Sequence, residues 1–521
     1  MCSDFERLRR KFKPKRCDAF SHAVSNISAV QSDDGTVLLK SGFDFSFAGK
    51  RLRNVLAVFS DVVMPGANNC LAGIRDAIVS YSPNSVLYGA VSGFQGVLSD
   101  NFKEIGRNDI RRILNCGGYA VIGSGDLKIE DDDQLDAVAD FCAQHEIDLI
   151  VVVGGDEKNI SFMNLSDYFD FKGISTRVIS IPSCINGRQK PWSRNWALGT
   201  DTVSKVCSGI IGDIQMSALS SAKSYHFVTI SGTCASNALL ECALKCQSSL
   251  TLIGEEIRSK RLSLENIADA VSGCVRTRKI DGRSYGVILF SDDILENAYD
   301  VRMLLREVFA LRRESDMLPE DISDVLSPAS LNALNSIPRD CRNGVLDCFS
   351  KSGCIDFSQM DAARILAEKT KEKLKDYYFD YKIHRIGSES LCAFPTNFDC
   401  SFAYNSGICA FLLGLLGKSG YVAGVHGLEK KAGNWLGLGI PLSRLLDESA
   451  DSDGADRVMR KYSLDMNCGA FVEFRNRRTS YMLNDDFAFP GPVDYNCKEM
   501  DVPLSLKLSC DSRISHDAEG V

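Results

Sequence analysis

The stretch that decides the fold is Asp148-Leu-Ile-Val-Val-Val-Gly-Gly-Asp-Glu157. Its apolar run, Leu149 to Val153, is too short for a helix and is uninterrupted and rich in β-branched residues, which is typical of a parallel strand buried on both faces. Two glycines follow at once, and a helix beginning near Lys158 would direct its positive dipole end at the same turn. The stretch therefore predicts a strand, a tight turn and a helix at the edge of a sheet where open α/β folds bind ligands.

The turn has a composition suited to a magnesium–phosphate site. Gly154 and Gly155 lack Cβ atoms and can expose backbone N–H groups to an anion, and Asp156 supplies a carboxylate beside them. We therefore expect Gly154 and Gly155 at the phosphate and Asp156 as the ligand of Mg²⁺. An ordinary tight turn between a strand and a helix can have the same residues, and this alternative stays open at this point.

The composition indicates a globular protein of more than one domain. The chain has 521 residues, of which 25% are charged and 45% apolar, and its formal net charge is -8. This balance predicts no nucleic-acid partner and no attraction to an anionic membrane. No run of about 18 apolar residues is present, and the nearest candidate, Ile408 to Leu416, is too short to span a membrane.

The N-terminal segment and the cysteines predict the compartment. Residues 1–16 are charged and lack an apolar centre, so they are no secretory signal and could form a basic amphipathic arm. The acidic Asp4 and Glu6 argue against a mitochondrial transit peptide. Twenty cysteines include no Cys-x-x-Cys pair, and the six histidines form no zinc-like cluster with them. We predict reduced, mostly buried thiols in a cytoplasmic protein.

Strands and helices alternate along most of the chain, which is the pattern of parallel sheets covered by helices. The first unit is a strand over Asn54–Phe59, a loop that ends at Gly66, and a helix for which Asn68 is the expected N-cap. From this alternation we predict an N-terminal arm and peripheral lead-in at 1–50, a first lobe at 51–225, the first part of a second lobe at 226–295, a charged helical insertion at 296–376, and returning lobe segments with an irregular tail at 377–521.

Five motifs, in chain order, resemble one family. They are Gly154-Gly-Asp-Glu, Pro182-Ser-Cys-Ile-Asn-Gly, Gly199-Thr-Asp-Thr-Val-Ser-Lys-Val, Gly254-Glu-Glu and Cys392-Ala-Phe-Pro-Thr-Asn-Phe-Asp. Together they resemble phosphofructokinases, most closely the long pyrophosphate-dependent type of plants and protists. The resemblance implies two parallel-sheet α/β lobes flanked by helices, the first for the phosphoryl donor and the second for the sugar phosphate. It also implies Mg²⁺ and the glycolytic phosphorylation of fructose 6-phosphate to fructose 1,6-bisphosphate.

The loop that carries the catalytic base departs from this family. Active members read Pro-Lys-Thr-Ile-Asp-Asn-Asp, and the first of those aspartates takes the proton from the 1-hydroxyl of the sugar. Here Ser183 replaces the lysine and Asn186 replaces the base. An amide accepts no proton near neutral pH, so general-base help of about 10²–10⁴-fold is absent. The Asn-Gly pair instead resembles the regulatory, alpha-type subunit of the plant pyrophosphate enzyme.

The donor side also departs from the family. Gly66 is kept, and we expect it near the donor phosphates, but Ser60 and Asp61 stand where the family has glycines, and Asp126 stands where it has an arginine. Like charges about 4 Å apart repel by several kcal/mol at an effective dielectric constant of about 20. The loops 60–66, 123–126, 154–157 and 182–188 are expected at one sheet edge.

On the sugar-phosphate side the resemblance assigns Gly232, Glu255 and Glu389 to substrate binding. Thr233 and Leu391 replace two arginines that would make charge-assisted bonds to phosphate. The remaining carboxylates can accept hydrogen bonds from sugar hydroxyls, although Glu255 could equally cap a turn at the end of a strand.

These departures imply a catalytically impaired regulatory subunit. It would bind a sugar phosphate or an effector and assemble with a catalytic phosphofructokinase homologue in a hetero-oligomer, or with itself. Two alternatives stay open. One is an active but divergent enzyme that uses ATP or pyrophosphate, with Asp201 or Glu157 as the base. The other is a metabolite-sensing or scaffolding protein without a catalytic partner.

Overall fold

The computed structural model describes residues 4–20, 27–42, 50–60, 63–129, 131–154, 156–182, 197–231, 235–314, 322–349, 355–447, 458–459, 464–495 and 501–510. The chain divides into two compact units, each built from several segments. Unit 1 comprises 1–203, 390–463 and 494–502, and unit 2 comprises 204–389, 464–493 and 503–521. The segment boundaries inferred from the sequence stay a prediction.

The strands form two large sheets, one in each unit, and one short ribbon. Among the residues that the structure describes, unit 1 has nine strands in the order β1-β2-β13-β12-β7-β6-β3-β4-β5, unit 2 has four in the order β11-β8-β10-β9, and β14 pairs with β15. The strands are β1 (Ile27–Gln31), β2 (Val37–Ser41), β3 (Asn54–Ser60), β4 (Val86–Ala90), β5 (Phe102–Glu104), β6 (Ile147–Gly154), β7 (Arg177–Pro182), β8 (Tyr225–Ile230), β9 (Leu250–Thr251), β10 (Gly286–Ser291), β11 (Tyr381–Ile386), β12 (Tyr421–His426), β13 (Leu436–Pro441), β14 (Leu446–Asp447) and β15 (Val458–Met459).

Helices cover the sheets. They are α1 (Asp4–Lys11), α2 (Ala67–Tyr81), α3 (Phe94–Leu98), α4 (Arg107–Ile113), α5 (Asp132–Gln144), α6 (Asp156–Lys172), α7 (Thr200–Ser221), α8 (Ala235–Cys246), α9 (Gly254–Ser259), α10 (Leu264–Ile280), α11 (Ile294–Asn297), α12 (Tyr299–Glu314), α13 (Pro328–Ser336), α14 (Arg339–Leu346), α15 (Ala362–Lys373), α16 (Ser388–Leu391), α17 (Asn397–Leu416), α18 (Gly469–Asn484) and α19 (Leu504–Cys510).

The predicted buried strand is β6, at the centre of the sheet of unit 1. Its residues Leu149 to Val153 are fully buried, and it pairs in parallel with β3 on one side and β7 on the other. Burying each such side chain contributes about 1.5–3 kcal/mol, so a run of five fixes the strand at the centre of the sheet. The mixed α/β fold class is confirmed.

The outer strands of this sheet run against the predicted direction. The parallel strands β4, β3, β6, β7 and β12 are flanked by antiparallel β5 at one end and by antiparallel β13, β2 and β1 at the other. The lead-in that we expected to be peripheral is therefore part of the sheet through β1 and β2. Leu39 of β2 is fully buried.

The longest apolar helix, α17, lies inside unit 1. It passes the length and hydropathy test for a membrane span, with a mean hydropathy of 1.3, but 94% of that window is buried within the protein. A buried core helix has the same composition, so this is weak support for a membrane span. Helix α17 packs closely on α2, because Gly73 and Gly407 leave room for the backbone of the opposite helix at Tyr404 and Cys70.

Unit 2 has an all-parallel sheet and the predicted helical insertion. Strands β11, β8, β10 and β9 pair in parallel, and residues of α12, α13, α14 and α15 pack in one continuous apolar core with β8 and β10. The tail beyond Glu448, which we expected to be irregular, contributes α18 and α19 to this unit.

Candidate functional site

In unit 1, the carboxyl ends of three neighbouring strands form a candidate site. Ser60, Gly154 and Pro182 are side-by-side register partners at the ends of β3, β6 and β7. A Cβ atom on Gly154 would lie 2.8 Å from the backbone oxygen of Ser60, so only glycine fits there without displacing the neighbouring strand. Helix α6 begins at Asp156, directly after this edge.

The glycine-rich segment 123–126 lies at the same edge. Gly125 forms a parallel bridge with Ser60, and its N–H donates to the carbonyl of Phe59 over 3.3 Å. Asp126 follows directly and is exposed. An acidic side chain therefore stands beside the strand ends where the family has an arginine, and it makes this edge less favourable for an anionic donor.

The loop before α2 is held by glycine and by a distant helix. Gly66 is the N-cap of α2 with a φ of 94°, and a Cβ atom there would lie 3.3 Å from the backbone oxygen of Asp399. The prediction that Asn68 is the N-cap is wrong. Its side-chain amide instead donates to the carbonyls of Cys116 and Gly118, over 2.9 and 2.8 Å.

Two of the family-like motifs interlock next to this loop. The Asp399 carboxylate accepts hydrogen bonds from the N–H and the hydroxyl of Thr202, over 2.7 and 2.5 Å. The Thr396 hydroxyl donates to Asp201 over 2.6 Å and caps α17 by accepting from the N–H of Asp399. Each carboxylate therefore lies at the N-terminus of a helix, where it offsets the positive end of the dipole.

This arrangement bears on the alternative base. Asp201 is fully buried, and one of its carboxylate oxygens accepts the hydrogen bond from Thr396. It has the environment of a structural residue, and the geometry gives no support to Asp201 as a general base. The side chain of Glu157 lies outside the part of the structure that is described.

The N-terminal segment is joined to the same helix start. Arg9 is fully buried and donates to the Asn397 side chain over 2.8 Å and to the Pro395 carbonyl over 2.5 Å. Its guanidinium carbon lies 4.6 Å from the centre of the Tyr495 ring, a cation–π contact. The predicted basic amphipathic arm contains the helix α1, which is mostly exposed, and its buried side chain Arg9 supports the N-terminus of α17.

Unit 2 has a candidate site of its own, at the carboxyl edge of its sheet. The N–H of Ser231 donates to the carbonyl of Ile386 over 2.8 Å, and Gly387, with a φ of 130°, leaves no room for a Cβ atom against the Ser231 backbone. Glu389 is exposed and accepts a hydrogen bond from the N–H of Gly387 over 3.0 Å. Ser231 and the segment that carries Glu389 therefore adjoin.

Glu255 lies at the same edge, in the first turn of α9. One of its oxygens accepts from the N–H of Leu464 over 3.0 Å, and no described residue donates to the other oxygen, Oε2, which is buried. Burial raises the pKa of Glu255 above its usual range, and the nearby Asp293 adds a smaller upward effect. A half-satisfied carboxylate in this position is a candidate acceptor for a ligand hydroxyl.

Several predicted site residues lie outside the described residues. They are Gly155, Asn186 and Gly232, with the substituted positions Asp61, Ser183 and Thr233, and the side chain of Asp156 is likewise not described. Within the described ranges, no group of three or more His, Cys, Asp or Glu side chains could hold a metal ion.

Most described cysteines are buried in the core, and two histidines contact each other. The described cysteines are free and mostly buried. Burial raises the pKa of the Cys409 thiol to about 12, so this thiol stays protonated. His226 and His384 stack on adjacent strands with 2.9 Å between their ring nitrogens, a pairing that sequence spacing could not indicate because 158 residues separate them.

Comparison with known proteins identifies a family to which this α/β chain is similar. A family model described as Phosphofructokinase matches residues 54–412. The pyrophosphate–fructose 6-phosphate 1-phosphotransferase of Treponema pallidum (strain Nichols) is 32% identical over 476 residues, which cover 87% of this chain and 83% of that protein. The chain therefore belongs to the phosphofructokinase family, and its long pyrophosphate-dependent type is supported.

Further relatives carry subunit names. In Solanum tuberosum, pyrophosphate–fructose 6-phosphate 1-phosphotransferase subunit beta is 28% identical over 504 residues, covering 93% of this chain and 86% of that protein. Subunit alpha is 25% identical over 447 residues, covering 83% and 72%. The crystal structure of pyrophosphate-dependent phosphofructokinase from Nitrosospira multiformis shares the fold with a TM-score of 0.54 and 13% identity, over 88% of this chain and 97% of that one.

Proposed function

We propose that this chain is a regulatory subunit of a pyrophosphate-dependent phosphofructokinase, with a site that binds but does not itself transfer the phosphoryl group. The observation that carries the proposal is Asn186 at the position of the catalytic base. The reaction of the assembly would be the phosphorylation of fructose 6-phosphate to fructose 1,6-bisphosphate. Supporting it are relatives named as pyrophosphate–fructose 6-phosphate 1-phosphotransferase and as its alpha and beta subunits.

The donor edge supports binding more than transfer. Backbone N–H groups after Gly154 would hold the donor phosphates at the start of α6, as helix N-termini commonly do. Asp126, directly after Gly125, opposes the build-up of negative charge that phosphoryl transfer requires the protein to stabilise. The site would therefore retain the shape of a donor site. It would lack the lysine and the arginine that the family has there, which Ser183 and Asp126 replace.

The chemistry of the donor set is compatible with magnesium only through a phosphate ligand. Asp156 is one carboxylate at a helix start, and the described residues contribute no second cluster of ligands. Mg²⁺ is usually held by one or two carboxylates together with phosphate oxygens. Asp156 would hold the ion, which when bound neutralises phosphate charge. Titration calorimetry should give no measurable heat for Mg²⁺ alone, and tight binding to the bare protein would contradict this.

On the sugar side, Glu255 and Glu389 would accept hydrogen bonds from sugar hydroxyls, with the Gly232 segment beside them. The half-satisfied carboxylate of Glu255 supports this role. Thr233 and Leu391 supply no positive charge for the sugar's phosphate, so we propose that the substrate is held weakly and in a different pose from that of an active subunit.

The partner would be a competent homologue that carries Thr-Ile-Asp in the catalytic loop and Met-Gly-Arg on the sugar side, in the cytoplasm. The test is turnover with pyrophosphate and with ATP for three samples: this chain, the homologue, and the two co-expressed. We expect no turnover from the chain alone and an altered KM in the co-purified complex. A homologue whose catalytic aspartate is changed to asparagine serves as the control, because its complex should be inactive. Turnover by the chain alone would overturn the proposal.

A further inference from the structure

Four arginines of unit 2 lie close enough together for their charges to act on Arg302, and two of them contact one surface tyrosine. Arg258 and Arg261 lie at and just after the end of α9, and Arg302 and Arg306 are one turn apart on α12. The guanidinium carbons of Arg261 and Arg302 lie 5.2 and 6.0 Å from the centre of the Tyr299 ring. These are cation–π distances, and Tyr299 keeps 39% of its surface exposed, so the group is open to solvent.

The backbone fixes this arrangement. The N–H of Tyr299 donates to the carbonyl of Leu262 over 2.8 Å, and Asp300 accepts from the N–H of Leu264 over 2.9 Å, so the start of α12 is tied to the segment that follows α9. Arg261 has a φ of 51°, the left-handed region that glycine normally occupies.

The positive charge of the group is largely unpaired. Arg258 lies 3.6 Å from Glu296, whereas none of Arg261, Arg302 and Arg306 has a carboxylate of the described residues within ion-pair distance. The pKa of Arg302 is lowered, first by partial burial and then by the charges of Arg258 and Arg306, while the nearby Glu296 carboxylate has an opposing, upward effect. A bound anion would further relieve the repulsion among the four guanidinium groups.

We propose that this arginine cluster, Arg258, Arg261, Arg302 and Arg306 around Tyr299, binds the phosphate group of a small molecule. Guanidinium groups bind phosphate oxygens through paired N–H donors, and the exposed ring offers a face to the remainder of the ligand. A chain with a net charge of -8 repels an extended polyanion, which favours a compact ligand. The cluster lies outside the family-like motifs, so the inference does not rest on the proposed function.

The test places a reporter inside the cluster. Tyr299→Trp retains an aromatic ring, and its emission is compared with that of the unmodified chain during titration with inorganic phosphate, pyrophosphate and fructose 6-phosphate. We expect a saturable change in emission, and the Kd should rise about tenfold for each arginine removed in the Arg261→Gln and Arg302→Gln variants of the reporter protein. Arg339→Gln is the matched control, because Arg339 is an exposed arginine of the same unit away from this cluster.

The outcomes separate the sources of the phosphate. Tighter binding of fructose 6-phosphate identifies a sugar phosphate as the ligand, and tighter binding of pyrophosphate or phosphate identifies an inorganic one. Both support the cluster as a phosphate site. The unmodified chain keeps Trp192, Trp196 and Trp435, so its emission change is subtracted as the response to ligand binding elsewhere. The proposal is overturned if potassium chloride of equal ionic strength gives the same response, if no titration saturates, or if the arginine variants bind as tightly as the Arg339→Gln control.

Discussion

Replacing Asp399 by alanine should destabilise unit 1 strongly. The Asp399 side chain is fully buried and accepts two hydrogen bonds from Thr202, one from its N–H and one from its hydroxyl. Removal leaves both donors buried without these acceptors, and each orphaned group costs about 1–3 kcal/mol. We therefore expect a loss of about 2–6 kcal/mol in the free energy of unfolding, which is a large share of the roughly 5–15 kcal/mol typical of a domain.

The fluorescence of a tryptophan close to position 399 can report this loss of stability. Trp435 is fully buried, and its ring centre lies 5.8 Å from that of Phe398, the neighbour of Asp399. In a protein with the other two tryptophans changed to phenylalanine, urea unfolding followed by Trp435 emission should show a midpoint lowered by about 1 M or more. Asp399→Asn is the control, since its amide oxygen still accepts from Thr202, and it should lose less than half as much.

A double-mutant cycle with Thr202→Val decides whether the hydrogen bonds are the cause. Valine removes the hydroxyl donor but leaves the N–H, so the cost of Asp399→Ala should be smaller in the Thr202→Val protein, with a coupling of about 1 kcal/mol or more. Additivity within about 0.5 kcal/mol, or a loss below about 1 kcal/mol for Asp399→Ala alone, would refute the reasoning.

Three other outcomes are expected. Asn186→Asp should not give turnover with ATP or pyrophosphate. A restored base contributes about 10²–10⁴-fold, but the positions where the family has lysine and arginine, such as Ser183 and Thr233, remain uncharged. Robust turnover would indicate an active enzyme. Gly154→Ala should lower the thermal midpoint by several degrees, because its Cβ would lie 2.8 Å from the Ser60 carbonyl oxygen; an unchanged midpoint would mean that the strands separate freely. Burial and then the charge of His384 lower the pKa of His226 to about 4. The unfolded chain therefore binds this proton more readily than the folded protein, so the free energy of unfolding should fall as the pH drops from 6.5 towards 4. The loss should be at most about 2 kcal/mol after solvent screening. Unfolding measured at pH 7 and 4.5 checks this, and a His226→Gln protein with the same slope would contradict it.

The parts of the fold that local sequence determines were predictable. The apolar run Leu149 to Val153 indicates β6 because continuous apolar residues are typical of a buried strand, and the strand predicted over Asn54–Phe59 is β3, Asn54–Ser60. The prediction for Asn68 failed because Gly66 reaches a positive φ and starts the helix earlier, while the Asn68 amide is used by distant carbonyls.

What could not be predicted depends on partners far apart in sequence. Arg9 reads as part of a charged arm, and its burial follows from Asn397, 388 residues away, and from the Tyr495 ring. The antiparallel edge made by β13 and β2 joins segments that lie almost 400 residues apart. Among the candidate site residues, the motifs indicated Gly154 and Glu255. The hydrogen bonds from Thr202 to Asp399 have no local sequence signal, because the two residues are 197 positions apart.

The division of unit 1 into distant segments has a consequence for how the protein is made. Helix α17 and strands β12 and β13 are synthesised only after residue 396, yet they complete the sheet begun by β3, β6 and β7. A nascent chain therefore leaves the ribosome with β7 as an open sheet edge, while most of unit 2 is still to be translated. Unpaired strand edges and exposed apolar segments are prone to aggregation, so newly made chains should depend on chaperones until α17 has been inserted.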